Sequence, residues 1–267
     1  MKVLKFGGTS VANSKSLNSV LEIIKSQKGS IAVVVSALGG VTDMLIEMLS
    51  MVKEADENYK DLLPEIERRH LEIIKQCIPI QHQSAIISFL KKHTNELESR
   101  LDALFLLEEV TQKNTAAIAS YGEILSSGII QEVFKYNGID SILKDTRTLI
   151  KTTTHNGREI VDNDPTQKNI TQFFKENRCN VVLLPGFIAS NELQETTTLG
   201  RGGSDYSAAL IASNTNAEVL EIWTDVSGMY TAHPKIVAQA KPIEKLTYFE
   251  AMELSHFGAK VIYPPTL

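Results

Sequence analysis

Four glycine-bearing turns each follow a short apolar run in this chain, and they are its first candidates for chemistry. They are Phe6-Gly7-Gly8-Thr9-Ser10, Ser36-Ala37-Leu38-Gly39-Gly40, Leu184-Pro185-Gly186 and Leu199-Gly200-Arg201-Gly202-Gly203-Ser204-Asp205. Glycine at such a turn lets backbone N–H groups approach an anion, and a following helix adds its dipole. Strand-to-helix turns also use glycine for purely structural reasons. Two Gly-Gly turns that lead into Ser or Thr, one beside Lys5 and one containing Arg201, point to a phosphate- or carboxylate-binding site. Several anion-site signatures are absent. The chain has no Gly-Lys dipeptide and so no Walker A loop. It has no G-x-G-x-x-G, the run from Gly200 placing Asp205 at the last position, and no H-R-D or D-F-G. A G-x-S-x-G elbow and a His/Cys zinc spacing are missing too. Ordinary protein kinases, acyl-transfer hydrolases and the usual nicotinamide oxidoreductases are thereby excluded.

The elements that must hold these turns are legible from periodicity. Lys2–Phe6, Ser30–Ser36, Asn180–Leu184 and Glu218–Trp223 are short β-branched apolar runs, the pattern of strands buried on both faces of a largely parallel sheet. Helices are expected from Asp164-Pro165, from Ser204, and from Thr247, where Thr247 and Glu250 fit a capping box and Gly258 a C-terminal stop. No glycine occurs between Val41 and Tyr121. Leu45, Met48, Leu49 and Val52, then Leu97, Leu101, Leu104 and Leu107, recur there at helical spacing. The region reads as an insertion of three or four helices, around 41–137, with breaks near Asp56–Tyr59 and Cys77–Ile80. His70, His82 and His93 fall in it and are expected at the surface. The whole is an α/β open sheet with a helical insertion, and ligands of such sheets bind at the carboxyl ends of the strands.

Composition bounds the rest. The chain has 267 residues, 27 Lys+Arg against 32 Asp+Glu, and a net charge of −5. No general basic field favours nucleic acid, so an anion site must rest on local cations. The longest apolar run, Ile31 to Val35, is far below the ~20 residues of a membrane span. The opening MKVLKFGG lacks a signal peptide's apolar core. Cys77 and Cys179 have no CxxC neighbour, which suits reduced thiols and a cytoplasmic location.

Taken together and in order, five segments resemble aspartokinase, within the amino acid kinase fold. They are KFGGTS at Lys5–Ser10, SYGE at Ser120–Glu123, TTLGRGGSDYSAA at Thr197–Ala209, WTDVSGMYTAHPK at Trp223–Lys235 and FGAK at Phe257–Lys260. The resemblance spans essentially the whole chain and is greatest to the N-terminal kinase part of bifunctional aspartokinase/homoserine dehydrogenases. It implies transfer of the ATP γ-phosphate, with Mg2+, to the β-carboxylate of L-aspartate, the first step of lysine, threonine and methionine biosynthesis. By this resemblance Lys5 and Asp205 are catalytic, Asp205 orienting Lys5. Ser36, Thr42, Glu123 and Arg201 hold the amino acid, with Glu123 on its ammonium and Arg201 on its α-carboxylate. Lys5, Gly7, Gly8, Thr224, Asp225, Tyr230, Lys235 and Lys260 hold the nucleotide. No resident metal ligand is implied. An aspartate-binding lobe of roughly 1–198 and a nucleotide lobe of 199–267 follow, as does a homodimer or higher homo-oligomer of the full-length protein. Family members continue into the remaining nucleotide lobe and ACT domains, so a truncated kinase domain is expected. The chain departs from the pattern at His233-Pro234-Lys235, where Asp-Pro-Arg is usual, and at Tyr263, where histidine is common. Two other readings stay open: a family member acting on another carboxylate or phosphate acceptor, and a fragment that only binds ligands.

Overall fold

The computed structural model describes residues 1–226, 228–232, 236–237, 239–257 and 266. Its framework is a parallel sheet of five strands in the order β3-β6-β2-β1-β9. These are β1 Lys2–Phe6, β2 Ile31–Val35, β3 Ser141–Leu143, β6 Val181–Pro185 and β9 Val219–Trp223. β2 (IAVVV) and β6 (VVLLP) are buried at every position. That explains their continuous apolar sequence: both faces of the sheet are covered. The side-chain period of two sorts neighbours into different cores. Leu4, Phe6, Val33, Val35 and Leu183 join a large core with the helical insertion. Val3, Ala32, Val34, Val182 and Leu184 join a smaller one with α7 Asn163–Glu176 and α8 Gly203–Asn214.

The insertion holds five helices where three or four were expected: α2 Val41–Lys53, α3 Leu62–Cys77, α4 Gln83–Leu107, α5 Gln112–Ala119 and α6 Tyr121–Tyr136. The two anticipated breaks are short 3-10 segments, at Glu57–Asp61 and at Ile80–His82 after Pro79. A further break follows Leu107, where Glu108 takes a left-handed φ of 52°. The helix α1 Ser14–Ser26 packs on the same side, its Leu17, Val20, Leu21 and Ile24 buried at a spacing of three or four residues.

Three expectations need correction. His70 is not at the surface: it is fully buried, its Nδ1 2.7 Å from the Ile66 carbonyl. It belongs to the apolar stripe of α3, with Ile66, Ile73 and Ile74. The helix expected from Asp164-Pro165 starts at Asn163 instead, with Asp162 at the N-cap. Proline is tolerated there because the first-turn N–H groups have no intrahelical acceptor. A second sheet was also missed, with order β5-β4-β7-β8. It comprises β4 Lys151–His155, β5 Arg158–Asp162, β7 Ile188–Ser190 and β8 Thr196–Thr198. Its β4–β5 hairpin turns on Asn156 and Gly157, at φ 49° and 72°, the two-residue turn that Asn-Gly prefers. The capping box forms as expected: the Glu250 carboxylate accepts from the Thr247 N–H at 2.8 Å, and Thr247 Oγ1 accepts from the Glu250 N–H at 3.2 Å. They open α9 Tyr248–Phe257; Gly258 lies outside the described residues.

Candidate active site

The carboxyl ends of β1, β2 and β6 lie side by side, and the glycine turns that follow them meet there. Gly8 has no room for a side chain, since a Cβ would stand 2.9 Å from the Ala37 carbonyl oxygen and 3.1 Å from Gly39 Cα. Gly39 N–H donates to the Gly8 carbonyl at 2.9 Å. The turns after β1 and β2 are thus joined backbone to backbone. The same device places α6, where a Cβ on Gly122 would fall 2.8 Å from that of Ala37. Ser126 Oγ then donates to the Ser36 carbonyl at 2.8 Å. The helices α2 and α8 start at this edge from Gly40 and Gly202, both left-handed at φ 82° and 66° and without side-chain caps.

Between these elements lies a cleft of about 920 Å³. Lys5 of β1 reaches Asp205 in the first turn of α8, with Nζ 2.6 Å from Oδ1 and both side chains 11% exposed. The pair ties the first strand to the Gly200–Gly203 turn, and the carboxylate also sits favourably at a helix N-terminus. Glu123, in the first turn of α6, is 3% exposed. Its Oε1 accepts from the Ala37 N–H at 3.2 Å, while its buried Oε2 has no hydrogen-bond partner. Burial pushes this carboxyl up to about 8, against the pull of the Ala37 and Glu123 backbone N–H groups. Ser36 and Thr42 line the same cleft, as does Arg201, which is exposed between Gly200 and Gly202. Seven anticipated residues therefore converge: Lys5, Gly8, Ser36, Thr42, Glu123, Arg201 and Asp205. Gly7 adjoins them beside Lys5 Nζ.

The remaining anticipated residues form a second group. Thr224 and Asp225 follow β9, exposed, with Thr224 Oγ1 donating to Asp225 Oδ1 at 3.0 Å. β9 is coupled to the cleft through β1: the Trp223 carbonyl accepts from Gly7 N–H at 3.3 Å, and its ring stacks on Phe6 at 6.2 Å. Tyr230 is half-buried and bridged to Pro242. None of Thr224, Asp225 and Tyr230 lines the cleft. Lys235 and Lys260 lie outside the described residues.

Several residues of the cleft went unread in the sequence, Asp43 and Glu47 of α2 and Phe187 among them. Phe187, directly after Gly186, has φ 66°, and the Ile188 N–H donates to the Gly186 carbonyl at 2.7 Å. This is a γ-turn of the strained hand, centred on an aromatic residue. It is held from both sides, by Phe187 N–H to Ser207 Oγ at 3.0 Å and Leu199 N–H to the Phe187 carbonyl at 2.8 Å. Backbone strain of this kind concentrates at functional sites. The Pro185-Gly186 pair announces a turn, but nothing in it announces a left-handed phenylalanine.

The description of the amino acid kinase family matches residues 1–267. This chain belongs to the amino acid kinase family. Among its relatives is the bifunctional aspartokinase/homoserine dehydrogenase of Buchnera aphidicola, 36% identical over 273 residues, covering 100% of this chain and 33% of the relative. The aspartokinase of Chlamydia pneumoniae is 38% identical, over 99% of this chain and 56% of its own length. Among solved structures, E. coli aspartokinase III in complex with aspartate and ADP superposes with a TM-score of 0.90 at 30% identity, covering 100% of this chain and 58% of that one. The chain thus spans between about a third and three-fifths of the length of these family members. Among the described residues, no helix is long and apolar enough to cross a membrane.

Proposed function

We propose that this domain transfers the γ-phosphoryl group of ATP to the β-carboxylate of L-aspartate, giving 4-phospho-L-aspartate. The observation that carries the choice of acceptor is Glu123, a buried carboxyl in the cleft with one oxygen lacking a partner. An α-ammonium supplies that partner. N-acetylglutamate, carbamate and UMP have no such group; L-glutamate has one, and against it the choice rests on the relatives named aspartokinase. Arg201, which lines the same cleft, suits the α-carboxylate through the planar fork of its guanidinium. The relatives named aspartokinase, and the likeness to an aspartokinase holding aspartate and ADP, support the same choice.

The chemistry asks little of the protein beyond placement and charge. The acceptor carboxylate is ionised at neutral pH, so it attacks the γ-phosphorus without a general base. The domain must bring two anions together against mutual repulsion and a net charge of −5. Lys5, fixed by Asp205 beside the Gly7-Gly8 backbone, is assigned to the transferring phosphoryl group. Asp205 holds the ammonium of Lys5 in place. Magnesium enters on the nucleotide, as Mg-ATP, and neutralises phosphate charge. Thr224, Asp225, Tyr230, Lys235 and Lys260 are assigned to the nucleotide, which would lie beyond Gly7 toward the end of β9. Homo-oligomeric assembly of the whole protein and a cytoplasmic location belong to the same proposal.

The test is direct. The protein is incubated with Mg-ATP and L-aspartate, and acyl phosphate is trapped as its hydroxamate. An aspartate-dependent hydroxamate is expected. Its absence from both this chain and the full-length gene product sinks the proposal.

A further inference from the structure

A second cavity, of about 380 Å³, lies between α4, α5, the start of α6 and the turn between β7 and β8. Its walls carry charges of both signs. Two of its cations are already satisfied. Lys113 is paired with Glu195, whose other oxygen accepts from the Asn191 amide at 2.9 Å. Arg147 forks onto Asp145 and donates its remaining Nη1 to Thr196 Oγ1 at 3.0 Å. The α4 wall differs. Glu96 and Arg100, both exposed, stand one helical turn apart, a spacing at which opposite charges can pair, yet among the described residues they form no ion pair with each other. Glu96 has only a marginal ion pair with Lys92, at 3.9 Å, and the charge of Arg100 pulls the Tyr121 hydroxyl down against the upward push of burial.

We infer that this cavity is a binding site for a small zwitterion, an α-amino acid, with its carboxylate on Arg100 and its ammonium on Glu96. A simple anion would meet Glu96 and Glu195, and a simple cation would meet Arg100 and Arg147. A molecule with both charges close together satisfies the wall as it stands. The volume admits an amino acid.

The cavity also shares its partition with the catalytic cleft. On α6, Tyr121 and Ile124 line this cavity, while Glu123 between them lines the cleft. On β8, Thr196 lines the one and Thr198 the other. A ligand seated here presses on the helical turn that carries Glu123. Its identity is independent of the acceptor proposed for the cleft.

The test measures thermal stabilisation and calorimetric binding of the common α-amino acids, with acetate and ethylammonium as half-ligands. Four proteins are compared: the parent chain, Arg100→Gln, Glu96→Gln, and Arg201→Ala to report on the cleft, each checked for native circular dichroism. At least one amino acid is expected to bind saturably to the parent and to Arg201→Ala alike. Its affinity should fall about tenfold or more, or ~1.4 kcal/mol or more, in both Arg100→Gln and Glu96→Gln. The inference is overturned if no amino acid saturates, or if binding survives Arg100→Gln. Loss of binding in Arg201→Ala overturns it too, since that assigns the ligand to the cleft, as does acetate binding as tightly as the amino acid.

Discussion

Glu123 is a carboxyl whose ordinary environment has been removed. With its titration moved from 4.5 to about 8, the ligand-free domain prefers it protonated at neutral pH. A group raised in this way contributes stability that is full below about pH 4.5 and is lost as pH climbs through 8. Melting temperature should therefore fall from pH 5 toward pH 9 in the parent and fall less in Glu123→Gln. An ammonium placed on Oε2 reverses the preference, so aspartate binding near pH 7 should release protons. Calorimetry in buffers of different ionisation enthalpy reads this directly, and Glu123→Gln should abolish the release. The same variant should weaken aspartate far more than ATP; equal weakening would remove Glu123 from the acceptor site. Lys5 tests the other end of the cleft. Lys5→Ala should lower kcat by the ~2–4 kcal/mol typical of losing one electrostatic stabiliser. A change confined to KM would reassign it to ground-state binding.

At the scale of elements, the turns decide where these side chains stand, and the turn at Phe187 makes the sharpest prediction. Glycine normally destabilises relative to alanine by freeing the unfolded chain. In a strained left-handed position that order inverts. Phe187→Gly should be more stable than Phe187→Ala by about 1 kcal/mol in urea unfolding; the opposite order would mean the turn carries no strain. This element also marks where sequence reading stopped. The buried strands were legible because Ile31–Val35 and Val181–Pro185 have no polar residue to mistake for a surface. The turns of Lys5 and Arg201 were legible as an anion site from their glycines, but the place of Glu123 beside them was legible only through resemblance, since some eighty residues or more separate Lys5, Glu123 and Arg201 and no local spacing relates them. The β4–β5 hairpin was missed although Asn156-Gly157 spelled its turn, because the threonines of Lys151–His155 supply no apolar alternation. Phe187 was invisible, because its backbone is imposed by Ser207 and Leu199 from outside the turn.

Across the whole molecule, acid and alkaline pH act on stability through two different buried groups, His70 and Glu123. His70 sits in the larger core with Nε2 lacking a hydrogen-bond partner. Burial lowers its titration from 6.5 to about 4, only partly offset by the Ile66 carbonyl. Its neutral form is built into the fold. The stability it contributes is complete above pH 6.5 and is lost as pH falls toward 4. A conservative apolar replacement, His70→Leu, should flatten the fall in melting temperature on acidification between those values, whatever it does to the maximum. An unchanged acid limb would assign that limb to other groups. With Glu123 opposing from the alkaline side, the ligand-free domain should be most stable in a window between these two limbs. The misplacement of His70 at the surface has a simple physical origin. One histidine in an apolar stripe does not change the stripe's period, and residue type alone favours exposure.

Strand β1 is made first, yet one of its neighbours, β9, begins at residue 219, and the ion pair of Lys5 closes only with Asp205. At translation rates of about 5–20 residues per second, β1 emerges roughly 10–40 s before β9 exists. The other neighbour, β2, follows at once, and its own second partner, β6, begins at residue 181. For most of synthesis the nascent chain therefore carries a two-stranded apolar ribbon with open edges, beside an insertion that can fold locally. Ribosome-bound chains halted before residue 181 should recruit chaperones that those halted after residue 223 release.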